Sequence, residues 1–530
     1  MVHRKSKQPP EQTTEQGAVA PPTTSAPADA SPDLDEQRGS SVATGLAEAQ
    51  HGDLPVLVEF LHRFWESHGA AGSQGRVVPA ERSLLLDHLL AEPFPRGPSS
   101  IAEVLRQAET LLQRETVKTS HPMFLGYVTP PALDIAALGD ALAAIVNQNV
   151  AFGALSPLGT VLEATAIRWL GQIINYPATC GGILTSGGSD ANLYALAAAR
   201  SRLLGAASAT DGNYGEPRRL RIYCSDKTHH SIDKAAILLG MGTRSITRVQ
   251  TDAKHRIRID ALRAAIKHDY NSGNWLPAAI VGNAGTRLCC AFDDMAALRD
   301  VADENEIWFH VDAAYGGFLR LATAPPEGVE NIHLADSVVL DPHKLLFVPF
   351  DCGSVLVRHS RDLSNCFGTE GEYIEAKSPG GLSDFANLGM QLGRSMKALK
   401  VWLALKRFGR DGFGLEITRL LDLAHYLAKK IADDVRFELL GPTSGLALCF
   451  RWRGDGRSGD EHLNVLNSRI RRSIIREGTA FIDEVLLEGK TGFRVCMTNF
   501  RTTTTALDAL IEAIAKLGTT SKTMGEWSRG

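Results

Sequence analysis

Ile307-Trp308-Phe309-His310-Val311-Asp312 is a short apolar run that ends on a carboxylate, and Ser337-Val338-Val339-Leu340-Asp341-Pro342-His343-Lys344 is a second run that leads into a lysine. Each has the length of one buried strand, and neither alternates polar with apolar residues as a half-exposed strand would. Working outward, five more runs of this kind flank them: Gly182–Thr185, Leu220–Cys224, Ser245–Gln250, Ala278–Val281 and Gly353–Val357. Helical spacing fills several of the gaps, at Ile232–Leu239, Ala261–Lys267 and Met295–Asp303. Strands interleaved with helices in this way predict an α/β fold, with a mostly parallel seven-stranded sheet covered on both faces.

The rest of the chain divides around this centre. Residues 1–48 are rich in Pro, Thr, Ala and Ser, as in Pro21-Pro22-Thr23-Thr24-Ser25-Ala26-Pro27. They bury too little apolar surface to offset their ordering entropy and are expected to form a disordered tail. Residues 49–120 are expected to form an N-terminal helical arm. There Val56-Leu57-Val58-Glu59-Phe60-Leu61-His62-Arg63-Phe64-Trp65 repeats apolar residues at three- and four-residue spacing, and a second helix is predicted over Ile101–Gln113. The large domain is placed at 121–410. After Arg394 the pattern changes to helices at Ser395–Phe408 and Leu415–Ile431, strand-like runs at Leu446–Trp452 and Phe493–Thr498, and a last helix at Thr505–Leu517. This predicts a small α+β domain over 411–517 and a polar tail over 518–530.

Composition excludes several classes. The 56 basic and 60 acidic residues leave a net charge of −4, which offers no basic surface for nucleic acid or for a membrane. The basic opening Met1-Val2-His3-Arg4-Lys5-Ser6-Lys7 is followed by no apolar core, so no secretory leader is expected, and no apolar run is long enough to span a bilayer. The cysteines are scattered, and the adjacent pair Cys289-Cys290 suits neither a redox motif nor a zinc knuckle. They are read as core thiols of a cytoplasmic protein, with no metal site expected.

The chemistry gathers at the carboxyl ends of the predicted strands, where ligands sit in parallel sheets. Lys344 lies between Val338-Val339-Leu340 and Leu345-Leu346-Phe347-Val348. Apolar surroundings favour the free amine that forms a Schiff base with an aldehyde, although a lysine at a strand end also often just reaches solvent. Asp312 ends a different strand, where it can keep a pyridinium nitrogen protonated or serve as a cap or ion partner. Gly187-Gly188-Ser189, between a strand and a helix, offers backbone N–H groups to a phosphate, or is an ordinary turn with Ser189 as N-cap. An amine for an aldehyde, an acid for a pyridinium and a cradle for a phosphate are together what pyridoxal 5′-phosphate (PLP) requires. His229, in Thr228-His229-His230-Ser231, can stack on a cofactor ring or be a plain loop histidine. His343 can donate to the phosphate or cap its turn. Thr286 can reach the ring edge.

In this order and spacing, the motifs resemble the group II PLP-dependent amino-acid decarboxylases, which include aromatic-amino-acid, glutamate, cysteine-sulfinate and diaminobutyrate decarboxylases. The resemblance covers roughly residues 55–515. It is carried by His121-Pro122-Met123-Phe124, Thr185–Asn192, His229–Ala235, Gly285-Thr286, His310–Tyr315, Asp341–Lys344, Leu392-Gly393-Arg394 with Leu399-Lys400-Val401-Trp402, and Arg494-Val495-Cys496 with Asn499, Arg501, Thr502 and Thr503. It implies that Lys344 carries the Schiff base, Asp312 pairs with the ring nitrogen and His229 stacks on the ring. Gly188, Ser189 and His343 would hold the phosphate, Thr286 would lie near the ring, and Ala314 would pack on its other face. It also implies a homodimer of fold type I with the site at the subunit interface. Phe152-Gly153-Ala154-Leu155-Ser156-Pro157 resembles the segment that enters the partner's site, and Tyr127, Val128, Thr129 and Pro130 are expected to line the pocket with Phe152 of the partner subunit.

The implied reaction is decarboxylation of an L-amino acid to an amine. One position departs from the family. A tyrosine on a mobile loop, here about Cys366–Leu388, usually assists the final protonation. Counting back from Leu392-Gly393-Arg394 places Phe385 there, and phenylalanine cannot transfer a proton. A loop of different length, with Tyr373 or a water as the acid, is the other reading. With Phe385 in that role, dioxygen could intercept the carbanion and give decarboxylation with oxidative deamination to an aldehyde. A catalytically silent member of the fold is a third reading, against which Lys344, Asp312 and His229 argue. No basic group committed to an acidic substrate stands out.

Overall fold

The computed structural model describes residues 53–68, 75–79, 83–368 and 379–523. The predicted disordered tail and Tyr373 lie outside them.

Seven strands form one sheet: β1 (Gly181–Thr185), β2 (Arg219–Ser225), β3 (Ile246–Val249), β4 (Trp275–Asn283), β5 (Trp308–Asp312), β6 (Ser337–Leu340) and β7 (Gly353–Val357), in the order β1-β7-β6-β5-β4-β2-β3. Strand β7 runs antiparallel to both its neighbours, β1 and β6, while the remaining pairs are parallel. Six strands therefore share one direction, and their carboxyl ends meet along a single edge. The fold is thus the α/β type I architecture expected, with a mostly parallel sheet. Helix Gly188–Leu204 lies across β4 to β7. Its buried Ala191, Ala195, Ala198 and Ala199 let it approach the sheet closely, which holds its first turn at that edge.

The small domain is an antiparallel sheet of β8 (Phe437–Leu439), β9 (Ala447–Trp452), β10 (Asp483–Leu487) and β11 (Lys490–Cys496), in the order β10-β11-β9-β8. The segment 123–127 stitches it to the large domain. Phe481 N donates to Met123 O at 3.0 Å, Leu125 N to Phe481 O at 2.8 Å, and Cys496 N to Leu125 O at 2.7 Å. A Cβ on Gly126 would sit 2.5 Å from the Phe481 ring, so only glycine permits this approach. Tyr127 then turns the chain with φ of 54°.

Some boundaries differ from the sequence reading. The two helices predicted after Arg394 are present within Ala398–Asp433, separated by a kink at Gly409 with φ of 62° rather than by a longer loop. The last helix runs on to Thr523, into the predicted polar tail. Helices Asp134–Val146, Pro157–Ile173 and Asp460–Glu477 were not anticipated. Pro157–Ile173 buries Thr160 and Glu163 on its inner face and exposes Leu158 and Val161 on its outer one, so its apolar residues do not trace the buried face.

A buried ion pair braces the core beside β1. Glu163 is fully buried, and its Oε1 accepts from Leu184 N at 2.8 Å and pairs with Arg394 Nη2. Burial raises the Glu163 carboxyl above its usual range, and Arg394 opposes that rise. Arg394→Met would leave this carboxylate uncompensated and is expected to cost about 3–5 kcal/mol. Urea unfolding checks this, and a change below about 1 kcal/mol, the scale of an exposed pair, would contradict it.

Candidate active site

The edge where six carboxyl ends meet opens into a cavity of about 1060 Å³. Gly188 and Ser189 follow β1, His229 follows β2, Thr286 follows β4, Asp312 ends β5, and His343 and Lys344 follow β6. With Ala314, all eight residues line this one cavity. Tyr127, Val128 and Thr129 line it as expected, whereas Pro130 is buried behind the wall.

Lys344 sits in the single turn Pro342–Leu345, which Pro342 opens with its φ already set for a helix. Its Nζ is 2.9 Å from Asp341 Oδ2. Asp341 is 1% exposed, and its Oδ1 has no hydrogen-bond partner among the described residues. His343 Nδ1 accepts from Cys352 N at 3.1 Å, which leaves Nε2 toward Asp341, 3.5 Å away. The glycine turn packs against β7: a Cβ on Gly353 would lie 2.5 Å from Gly187 Cα and 2.8 Å from Asp341 Oδ1. Gly353→Ala must therefore displace backbone, and it is expected to weaken PLP binding at least about tenfold, which is ~1.4 kcal/mol. Titration of intrinsic fluorescence with PLP measures it, and an unchanged affinity would show that the turn does not depend on this contact.

Ser189 is not the N-cap. Gly187 holds that position and supplies no side-chain cap, so the first N–H groups of helix Gly188–Leu204 are left for another acceptor. Asp312 Oδ1 accepts from Ala314 N at 3.2 Å, and Oδ2 accepts from Asn192 Nδ2 at 2.9 Å. His229 Nδ1 lies 2.8 Å from Ser231 Oγ and accepts from Ser231 N at 3.2 Å. Burial lowers the His229 imidazole below its ordinary value, partly offset by Asp312. Thr286 Oγ1 accepts from Ala291 N at 2.9 Å, which closes the turn after β4.

These groups fit pyridoxal 5′-phosphate. An uncapped helix N-terminus suits its phosphate, the Lys344 amine its aldehyde, and the Asp312 carboxylate its ring nitrogen. Among the described residues, no cluster of three or more metal-ligating side chains occurs.

Two buried histidines at this edge tie stability to pH. Burial pushes both His310 and His343 down to about 4, against 6.5 for a free imidazole. The unfolded chain then binds protons that the folded chain refuses between those values. The two histidines should therefore lower the stability of the cofactor-free protein as pH drops from about 6.5 to about 4, opposed in that window by Asp293, whose carboxyl burial pushes up to about 6. Thermal unfolding midpoints of the native chain and of His310→Gln across that window check it, and two parallel profiles would contradict the contribution of His310.

Phe385 is not brought to the cavity of its own chain. It is 4% exposed in the turn Phe385–Asn387, with the Arg394 guanidinium 5.5 Å from its ring centre. The next residue, Ala386, donates its N–H to Ala151 O at 3.0 Å. Phe385 is thus held against its own chain in the segment that leads to Leu392-Gly393-Arg394. Phe152 is half-buried beside that segment and also does not line its own chain's cavity.

The sequence reading missed the far wall as site, where Arg287, Arg471, Arg472 and Arg494 line the cavity with Asp483. Arg494 Nη1 donates to Asp483 Oδ2 at 2.7 Å, whereas its buried Nε and Nη2 have no partner among the described residues. Asp483 also accepts from Tyr127 N at 2.8 Å. Arg494 and Asp483 face each other across the β10–β11 register, a pairing that only the folded sheet reveals.

Comparison with known proteins agrees with this geometry. A family model described as the pyridoxal-dependent decarboxylase conserved domain matches residues 85–453. The aromatic-L-amino-acid decarboxylase of Bacillus atrophaeus is 32% identical over 422 residues, spanning 79% of this chain and 86% of that protein. The crystal structure of mouse CSAD in apo form matches with a TM-score of 0.81 at 26% identity, over 88% of this chain and 99% of that one. Oryza sativa TDC with PLP and tryptamine matches with a TM-score of 0.81 at 25% identity, over 90% and 98%. A match across most of the chain, with a lysine, an acid and a phosphate turn sharing one cavity, means that this protein belongs to the pyridoxal-dependent decarboxylase family and is a PLP-dependent carboxy-lyase.

Proposed function

We propose that this chain decarboxylates a free L-amino acid to the corresponding amine and carbon dioxide. The observation that carries this reading is the placement of Asp312 at the end of β5 and Lys344 in the turn after the neighbouring β6, lining one cavity with the Gly187–Gly188 turn. PLP, when bound, supplies the aldehyde and the electron-withdrawing ring that accepts the electron pair of the departing carboxylate. The chain's own residues do the rest. Lys344 Nζ anchors the cofactor, and the N–H groups of Gly188 and Ser189, with His343, hold its phosphate. Asp312 serves as acceptor at the ring nitrogen, where an ionised acid stabilises the charge that develops. His229 and Ala314 fix the ring from its two faces.

Tyr127 and Val128 offer aromatic and apolar surface to the substrate side chain, so an aromatic L-amino acid is the first candidate, and the name of the Bacillus relative supports it. The test is incubation of the purified protein and PLP with all common L-amino acids, cysteine sulfinate and 2,4-diaminobutyrate, with products identified by mass. One dominant amine with equal carbon dioxide is expected, and no amine from any substrate would overturn the reading. The aldehyde-forming alternative rests on Phe385, which packs beside Arg394 in its own chain, so any role at a substrate would be played in the partner's cavity. Hydrogen peroxide and ammonia released in step with carbon dioxide would favour that alternative, and stoichiometric amine without peroxide would favour simple decarboxylation.

We further propose a homodimer in which each subunit completes the other's cavity. The half-buried Phe152 and the exposed Leu138, Leu142, Ile145 and Leu158 support it. Light scattering on the purified protein tests it. The eight unpaired cysteines support a reducing compartment such as the cytoplasm, and among the described residues no helix is long and apolar enough to cross a membrane.

A further inference from the structure

Beneath the cavity floor runs a chain of buried polar groups. Trp308 Nε1 donates to Ser337 Oγ at 2.8 Å. Ser337 Oγ lies 2.8 Å from His310 Nδ1, and His310 Nε2 lies 2.8 Å from Asn192 Oδ1. Asn192 Nδ2 donates both to Asp312 Oδ2 at 2.9 Å and to Ser231 Oγ at 2.8 Å. Ser231 Oγ in turn meets His229 Nδ1 at 2.8 Å. Trp308, Ser337, His310, Asn192 and Ser231 are all at most 5% exposed, so water does not substitute for any of these partners.

The direction of every bond follows from the two ends. An indole N–H can only donate, so Ser337 Oγ accepts from Trp308 and is free to pass its own proton to His310 Nδ1. His310, kept neutral by its burial, then carries its proton on Nε2 and donates it to Asn192 Oδ1. That fixes the amide orientation, since the reverse would set its oxygen against the Asp312 carboxylate. Both Asn192 N–H bonds point outward, one to Asp312 and one to Ser231. Having accepted from Asn192, Ser231 donates its hydroxyl proton to His229 Nδ1. His229 is left with an acceptor nitrogen facing the protein and an N–H on Nε2, the nitrogen not tied to Ser231.

We propose that Asn192 and His310 are positioning residues, part of a one-way hydrogen-bond relay from Trp308 that sets the orientation of the Asp312 carboxylate. The proposal rests on the reading of Asp312 as the group that meets the ring nitrogen. It goes beyond that reading because neither Trp308, Ser337 nor His310 lines the cavity. The tautomer of His229 is held separately, because Ser231 N also donates to its Nδ1. Residues remote from the ring would then tune the partner of its nitrogen.

The test compares His310→Gln with His310→Leu in the full-length chain. A glutamine amide can accept from Ser337 and donate to Asn192, and leucine can do neither. With PLP added, His310→Leu is expected to weaken cofactor affinity at least tenfold and to move the pH midpoint of the bound cofactor's visible absorption. His310→Gln should stay within about threefold of the native protein on both measures. Equal effects of the two variants, or no spectral shift in either, would reduce His310 to packing and overturn the proposal. Failure of the native protein itself to develop a visible band would instead overturn the cofactor reading. Should His310→Leu not fold, Ser337→Ala removes one oxygen from the same relay and must produce the same spectral shift in weaker form.

Discussion

Lys344→Ala is expected to lose borohydride-trappable cofactor entirely and to reduce decarboxylation by at least about 10³-fold. The reason is positional. Lys344 Nζ is the amine at the cavity floor, 2.9 Å from Asp341, and the lining arginines cannot form an imine because they remain protonated. Arginine at 344 should be as inactive as alanine, which separates covalent chemistry from mere charge. Peptide mapping after reduction checks the attachment. An adduct on another residue, or activity within tenfold of the native enzyme, would remove Lys344 from its role. Such a result would leave the fold untouched, since Lys344 carries little of the core.

Asp312→Asn is the second large effect. The substitution preserves shape but removes the anion opposite the ring nitrogen, and it turns an acceptor oxygen into an amide that meets the Asn192 N–H head-on. The loss should appear mainly in kcat, by about 10²–10³-fold or roughly 2.7–4 kcal/mol, because the interaction strengthens as charge develops in the ring. KM should change far less. Steady-state kinetics with saturating PLP separates the two, and a loss confined to KM would make Asp312 a substrate-binding group instead.

Much of this was legible in the chain itself. The apolar runs before Asp312 and Lys344 specify buried parallel strands, and parallel strands oblige their carboxyl ends to converge. Seven residues chosen on that logic share one cavity, and Ala314, which only the family resemblance supplied, lines it too. What stayed hidden depended on contacts between distant segments. Arg494 and Asp483 meet only through a strand register, and the His310–Asn192 bond joins residues from a strand and a helix far apart in sequence. Phe385 was placed only by counting from a fixed motif, which holds while the intervening segment keeps its length, and in its own chain it is buried beside Arg394 and away from the cavity. The helix Pro157–Ile173 escaped because polar Thr160 and Glu163 lie on its buried face while Leu158 and Val161 lie on its exposed one, which blurs the periodicity by which helices are found.

The reversed direction of β7 has a mechanical outcome. The connection from β6 back to β7 is residues 341–352, and Lys344 lies in its opening turn, between two interior strands of the sheet. That turn is pinned by Lys344 N donating to Asp341 O at 2.9 Å and by His343 N donating to Cys352 O at 3.1 Å. Any swing of the amine between cofactor and solvent then comes from rotations about the four methylenes of the side chain. Lengthening that return by even a few residues should therefore slacken the tether and disable the amine without unfolding the protein.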